Sequence, residues 1–282
     1  MTLCCGCPIA YSTSGRVTLL LERKNAVIYG GAGSVGAAVA RAFAREGARV
    51  FLAGRTRATL DQVAEELSGS GGSVETAEVD ALDQRAVDEH ADAVAARAGG
   101  IDLSFNAISH GDVHGVPLLE LSLEDFARPI TVAMRSQFLT TRAAARHMTR
   151  QGSGVIMAIT ATTARPALPE VGGTGVTFDA IESQCRQWAR ELGPHGVRVV
   201  WLQTTGLPEA LADVDLFPSY GTGPGDGLTR AELISWQKGF TQLNRLTSLA
   251  EIGTVAAFVA SDHAATMTST GVNLTCGQVP GR

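Results

Sequence analysis

Several short stretches of this chain carry residue types that could do chemistry. The first is Tyr29-Gly30-Gly31-Ala32-Gly33-Ser34-Val35-Gly36, which holds the overlapping spacings Gly31-x-Gly33-x-x-Gly36 and Gly30-x-x-Gly33-x-x-Gly36. Glycines at these intervals permit a tight turn and a close backbone approach to an anion. A helix that starts in the loop adds unpaired N–H groups and a partial positive charge. Together they suit the pyrophosphate of a dinucleotide, with Gly30, Gly31, Gly33, Ser34, Val35 and Gly36 as its contacts. The second stretch is Ala53-Gly54-Arg55-Thr56-Arg57. A site for NAD tends to place Asp or Glu here for the ribose hydroxyls. No acid is present to repel a 2′-phosphate, and Arg55 can pair with one. The expected cofactor is therefore NADP(H). A third stretch, Ser109-His110-Gly111-Asp112-Val113-His114, offers imidazoles that could donate a proton near neutral pH. A fourth, Thr160-Ala161-Thr162-Thr163, offers hydroxyls, those of Thr160 and Thr162 above all, for a developing oxyanion. The loop Gln203–Leu228 carries Asp213, Asp215 and Tyr220, and Tyr220 is a further candidate acid.

Apolar strand-like runs alternate with amphipathic helical stretches, and this alternation positions those residues. Lys24–Tyr29, Arg49–Ala53, Ser73–Val79, Ile101–Asn106, Gly154–Thr160 and Val197–Leu202 read as strands, and Gly271–Thr275 as a last one. Ser34–Glu46, Arg57–Leu67, Gln84–Arg97, Leu123–Arg150, Thr177–Leu192 and Leu249–Ser261 read as helices. Ser248 and Glu251 have capping-box spacing before the last of these. The pattern predicts an α/β fold: one doubly wound parallel sheet of Rossmann type, in a single domain. Ligands of such sheets bind beyond the carboxyl ends of the strands. The glycine loop follows strand one, Arg55 strand two, His110 strand four and Thr160 strand five. Residues 1–22 are expected to be a flexible extension and 23–282 the domain, with 203–228 as a substrate loop or lid.

The bulk properties narrow the partners. The chain has 282 residues, 45% hydrophobic and 18% charged, with a formal net charge of -5. No basic cluster is present to attract nucleic acid or an anionic membrane. No apolar run reaches the roughly 20 residues of a membrane span. The first residues lack the basic and apolar regions of a secretion signal, so a cytoplasmic location is expected. Cys4, Cys5 and Cys7 lack a second ligand pair at zinc-site spacing, so no metal is expected.

From about Lys24 to the C-terminus the chain resembles the short-chain dehydrogenase/reductase family. The glycine loop is similar to that family's strand-one motif. Asn106-Ala107-Ile108-Ser109 stands where the family has Asn-Asn-Ala-Gly, and Glu191-Leu192-Gly193-Pro194-His195-Gly196-Val197-Arg198-Val199 looks like its link into strand six. Ser261-Asp262 and Gly271–Thr275 resemble its C-terminal signature. The resemblance implies that Asp80, with Ala81 beside it, contacts the adenine, and that Asn106 and Ala107 line the cofactor. It implies that Thr205 and Gly206, at the Pro-Gly position, border the nicotinamide. It also implies a homo-oligomer, dimer or tetramer, built on the helices Leu123–Arg150 and Thr177–Leu192.

The family's catalytic residues do not carry over. Its Tyr position falls at Thr174, its Lys position at Phe178, its Ser position at Ala161 and its supporting Asn at Ala133. The chain has only two lysines, Lys24 and Lys238, and neither Tyr nor Lys occurs between Tyr29 and Tyr220. In the family the Lys lowers the Tyr pKa so that the phenol can exchange a proton. A threonine hydroxyl cannot replace it, so Thr174 is expected to supply no proton. His110 is the first candidate in its place, because the family's strand-four loop passes beside the cofactor. The expected function is an NADPH-dependent oxidoreductase with a non-standard active site, acting on a small-molecule carbonyl, activated alkene or imine. The alternative is a non-redox protein, isomerase-like or binding only, that keeps NADP as a structural element.

Overall fold

The computed structural model describes residues 19–162, 170–210 and 229–279. Seven parallel strands form one sheet in the order β3-β2-β1-β4-β5-β6-β7. They are β1 (Asn25–Tyr29), β2 (Arg49–Gly54), β3 (Ser73–Glu78), β4 (Leu103–Asn106), β5 (Gly154–Ala161), β6 (Val197–Thr204) and β7 (Thr270–Asn273). The helices between them are α1 (Ser34–Arg45), α2 (Arg57–Gly69), α3 (Gln84–Ala98), α4 (Leu123–Gln151), α5 (Thr174–Leu192), α6 (Arg230–Lys238) and α7 (Leu249–Ala260). The strand order reverses between β1 and β4, which opens a crevice at their carboxyl ends.

The pleat divides the core into two layers. On β1, Ala26 and Ile28 join an apolar cluster with Val39 and Phe43 of α1 and Ile252 and Ala256 of α7. Val27 and Tyr29 turn to the opposite cluster, which holds Val87 of α3, Ala144 and Met148 of α4 and Ile181 of α5. Burial on both faces is why these strands read as continuous apolar runs. Small residues set the spacing of α1 and α7: a Cβ on Gly253 would lie 2.7 Å from the Ala38 carbonyl oxygen.

The expected elements are present with ends shifted by a few residues. Two boundaries need correction. Leu21 is fully buried, its N–H donates to the Glu46 carbonyl at 2.9 Å, and it belongs to the core. The folded unit therefore includes residues assigned above to the extension; residues 1–18, with Cys4, Cys5 and Cys7, lie outside the described ones. Gln203 and Thr204 are the end of β6 rather than the start of a loop. Helix α6 was not anticipated, although its signal was in the sequence: Thr229 and Glu232 form a complete capping box. Among the described residues no helix is long and apolar enough to cross a membrane.

Candidate active site

The glycine loop leaves β1 with Gly30 at φ +75°, where a Cβ would lie 2.5 Å from the Ala107 carbonyl oxygen. Gly36 is equally constrained, since its Cβ would sit 2.2 Å from the Gly30 carbonyl oxygen. These glycines fold the loop back on itself and against the end of β4. Gly31 has a different role: it is buried and faces Leu52 of β2, where a Cβ would come within 2.9 Å. Gly33 is the exposed N-cap of α1 and provides no side-chain cap, and the first turn contains no acid. The leading N–H groups of α1, including those of Ser34 and Val35, thus have no side-chain acceptor from the cap, which suits an anion.

A cleft of about 450 Å³ opens in front of this loop. Gly30, Ala32 and Gly33 form one wall, Arg55, Thr56 and Thr59 another, and Asp80, Ala81 and Leu82 a third. Ala107, His110 and Arg128 close the side toward β4 and α4. The volume is in the range of small-molecule sites. A larger cavity of about 730 Å³ lies between α7 and the chain around Cys276, away from the glycine loop. The smaller cleft is the better candidate because the uncapped helix end and the convergent polar groups are there.

At the rim, Arg55 is exposed and forms no ion pair among the described residues. Arg57 is occupied by Asp61 at 2.9 Å, and Thr76 donates to the same carboxylate at 2.7 Å. These bonds, that of Thr76 first, hold Asp61 below the usual carboxylate range. The acid nearest in sequence is therefore neutralised locally, and of Arg55 and Arg57 it is Arg55 that lines the cleft, with Arg128 on its other side. Asp80 accepts the Leu82 N–H at 2.9 Å through Oδ1, which fixes its carboxylate at the cleft floor. The loop glycines and the uncapped helix end offer N–H donors of the kind the pyrophosphate of a nicotinamide dinucleotide accepts from.

Asn106 is 3% exposed. It donates to Thr140 of α4 at 3.0 Å and accepts the Ile108 N–H at 3.0 Å. It shapes the turn after β4, and Ala107 is what that turn presents to the loop. Thr205 and Gly206 follow β6, outside this cleft, with Gly206 packed against the Gln237 side chain of α6. Thr59, Leu60, Arg128 and Val132 also line the cleft, and the sequence reading missed them. Their helices cross it only once the layers have packed.

The hydroxyls expected to serve as oxyanion donors have partners inside the protein. Thr160 is 1% exposed, and its hydroxyl donates to Oε1 of the buried Glu182 at 3.3 Å. Thr162 donates to Gln278 at 2.7 Å. Each hydroxyl hydrogen is committed inside the protein, so neither is available to an oxyanion in this arrangement. Tyr220, Asp213 and Asp215 lie outside the described residues. His110 is buried, with its ring 5.9 Å from that of Phe178 in an edge contact. Burial lowers its pKa below the ordinary value, opposed by the charge of Asp112. Beside it is a triad the sequence reading did not assemble. His114 Nε2 is 2.9 Å from Thr174 Oγ1, and that hydroxyl donates to Asp112 Oδ1 at 3.1 Å. Helix α5 starts at Thr174, three residues earlier than expected, so Thr174 and Phe178 share one face a turn apart.

The family model described as enoyl-(acyl carrier protein) reductase matches residues 30–213. The chain belongs to the short-chain dehydrogenase/reductase family. Members of this family bind nicotinamide cofactors and act as oxidoreductases. The D-threitol dehydrogenase of Mycolicibacterium smegmatis is 30% identical over 246 residues, 87% of this chain and 88% of that one. The (-)-isopiperitenol/(-)-carveol dehydrogenase of Mentha piperita is 31% identical, over 88% of this chain and 90% of the relative. An NAD+-bound xylitol dehydrogenase superposes with a TM-score of 0.82 at 22% identity, covering 90% of this chain and 98% of that one, a likeness of fold. A short-chain dehydrogenase/reductase from Serratia marcescens superposes with a TM-score of 0.77 at 25% identity, over 92% and 99% of the two chains.

Proposed function

We propose that this short-chain dehydrogenase/reductase uses NADP(H) to interconvert a small-molecule carbonyl, or a comparable C=C or C=N bond, and its reduced form, without the family's Tyr and Lys. The observation that carries this reading is Arg55, unpaired on the rim of the cleft into which the uncapped end of α1 opens. The cofactor would rest on Gly30, Gly33, Ser34, Val35 and Gly36, with Asp80 and Ala81 at its adenine and Asn106, Ala107, Thr205 and Gly206 along the rest. When bound there it supplies or accepts a hydride. The chain's part is to hold it, exclude water and exchange one proton with the substrate. Thr174 and Phe178 stand where the resemblance puts Tyr and Lys, so that proton needs another group.

The reading also includes a homo-oligomer. Ile181, Cys185 and Ala189 are buried in the protein's own core. Phe138 of α4 and Val176 of α5 are exposed, and Trp188 packs against Phe138 with ring centroids 5.8 Å apart. These residues form the apolar face available to a second copy.

The test is to incubate the protein with NADPH and carbonyls, activated alkenes or imines, and with NADP+ and polyols or secondary alcohols, while cofactor absorbance is followed. Turnover with at least one class, with tighter binding of NADPH than NADH, is expected. Tight NADPH binding with no turnover across all classes would favour the non-redox alternative.

A further inference from the structure

Resting on the oxidoreductase reading above, we propose that His114, oriented by Thr174 and Asp112, is the group that exchanges the substrate proton. The geometry begins with the loop that carries it. A Cβ on Gly172 would lie 2.7 Å from the Val113 carbonyl oxygen, so glycine lets the segment before α5 press against this loop. The Gly115 N–H donates to the Glu170 carbonyl at 2.7 Å and ties the two together. A Cβ on Gly173 would sit 2.2 Å from the Phe126 carbonyl oxygen, so α4 holds the start of α5 as closely. Asp112, His114 and Thr174 are therefore presented by backbone packed on both sides, as preorganised acid–base groups require.

The directions of the hydrogen bonds select the nitrogen that titrates. Thr174 has one hydroxyl hydrogen, and it goes to Asp112 Oδ1. Toward His114 its oxygen can then only accept, so Nε2 carries a hydrogen whether the ring is neutral or charged. The proton gained or lost is the one on Nδ1. This is the logic by which a carboxylate fixes the tautomer of a catalytic histidine, with a threonine interposed. His110 and His114 lie side by side along α5, since they meet Phe178 and Thr174 one turn apart. Among the described residues, His114 has a hydrogen-bond partner on α5 and His110 a ring contact there.

Burial holds the His114 pKa below its ordinary value, with Asp112 opposing. In the oxidation of an alcohol the imidazole is the proton acceptor. The substrate O–H bond breaks and its proton goes to Nδ1. The adjacent C–H bond breaks, and an oxidised nicotinamide, when bound, would take its hydride. The new C=O bond is the product, and the imidazolium returns its proton to water.

Two measurements test this. The first is made on the cofactor-free full chain: nitrogen NMR of the histidines across pH. His114 is expected as the Nε2–H tautomer when neutral. Thr174→Val should abolish that preference, and Thr174→Ser should keep it. Asp112→Asn should lower the pKa of His114, because it removes the charge that raises it. Among the described residues Asp112 and His110 on the same loop, Glu170 on the paired segment and Arg128 of α4, which packs on Gly111, are ionisable groups near this loop, so the His110 signal is followed in parallel. A native Nδ1–H tautomer, or one unmoved by Thr174→Val, overturns the proposal. The second is steady-state alcohol oxidation. His114→Gln should cost about a hundredfold or more in kcat and remove the rise of rate with pH. Thr174→Val should cost about tenfold, with Thr174→Ser restoring most of it. A smaller loss in His114→Gln than in His110→Gln overturns the assignment while the oxidoreductase reading stands. Absence of turnover in the native protein despite NADPH binding overturns both.

Discussion

Replacing Arg55 by Ala tests the cofactor reading most directly. The guanidinium is exposed on the rim of the cleft and has no carboxylate partner among the described residues, so no internal pair must be broken before it meets a 2′-phosphate. A charge-assisted hydrogen bond is worth about 1.5–3 kcal/mol. Two unit charges about 4 Å apart gain about 1 kcal/mol in water and about 4 kcal/mol at a protein surface with an effective dielectric near 20. Exposure puts Arg55 toward the screened end, and the nearly double charge of the phosphate works in the other direction. About 1.5–2 kcal/mol is a fair balance, or about 10–30-fold in affinity. NADH has only a hydroxyl there and should bind Arg55→Ala within about twofold of the native protein, since a neutral contact to an exposed group contributes little. The assay is calorimetry with NADPH and NADH on both proteins, repeated at higher salt, where the preference for NADPH should shrink. Equal native affinities for the two cofactors would refute the reasoning. So would equal losses of both in the variant, because the side chain would then support the fold of the rim instead of the phosphate.

Three further outcomes are expected. Light scattering at micromolar concentration should find a dimer or tetramer, and Phe138→Glu should dissociate it by placing a charge on the exposed apolar face of α4; a monomeric native protein refutes this. Gly253→Ala should destabilise the protein by about 1–3 kcal/mol in denaturant titrations, because its Cβ would meet the Ala38 backbone oxygen at 2.7 Å; an unchanged midpoint would mean that α1 and α7 can separate at no cost. His90, buried beside Tyr29 in an edge contact, has its pKa pushed down from 6.5 to about 4 by burial and by Arg97. A depressed histidine favours the neutral folded state, so its contribution is intact above pH 6.5 and declines as pH falls toward about 4. At about 1.4 kcal/mol per unit, up to about 3 kcal/mol should be lost over that window, and His90→Phe should flatten it. If the two proteins lose stability in parallel, the histidine is not the cause.

The sequence alone determined the strand–helix alternation, hence the parallel sheet, and with it the side on which ligands bind. Both are local properties: apolar runs, glycine spacing and caps act over a few residues. The glycine loop was legible for the same reason, as a short motif between a strand and a helix. The place of Arg55 just after strand two was legible because it is a matter of order along the chain. The sequence could also show that neither Tyr nor Lys lies between Tyr29 and Tyr220, since that absence needs no coordinates. Which polar groups have internal partners depended on tertiary structure. Whether a hydroxyl is a donor to substrate or an internal strut depends on partners far along the chain: Thr160 is spent on Glu182 and Thr162 on Gln278, separations of 22 and 116 residues. The contact between His114 and Thr174 was equally invisible, because the two are 60 residues apart and meet only when α5 packs against the loop after β4. Long-range packing decides which polar groups have their hydrogens committed, and composition and spacing contain no record of that.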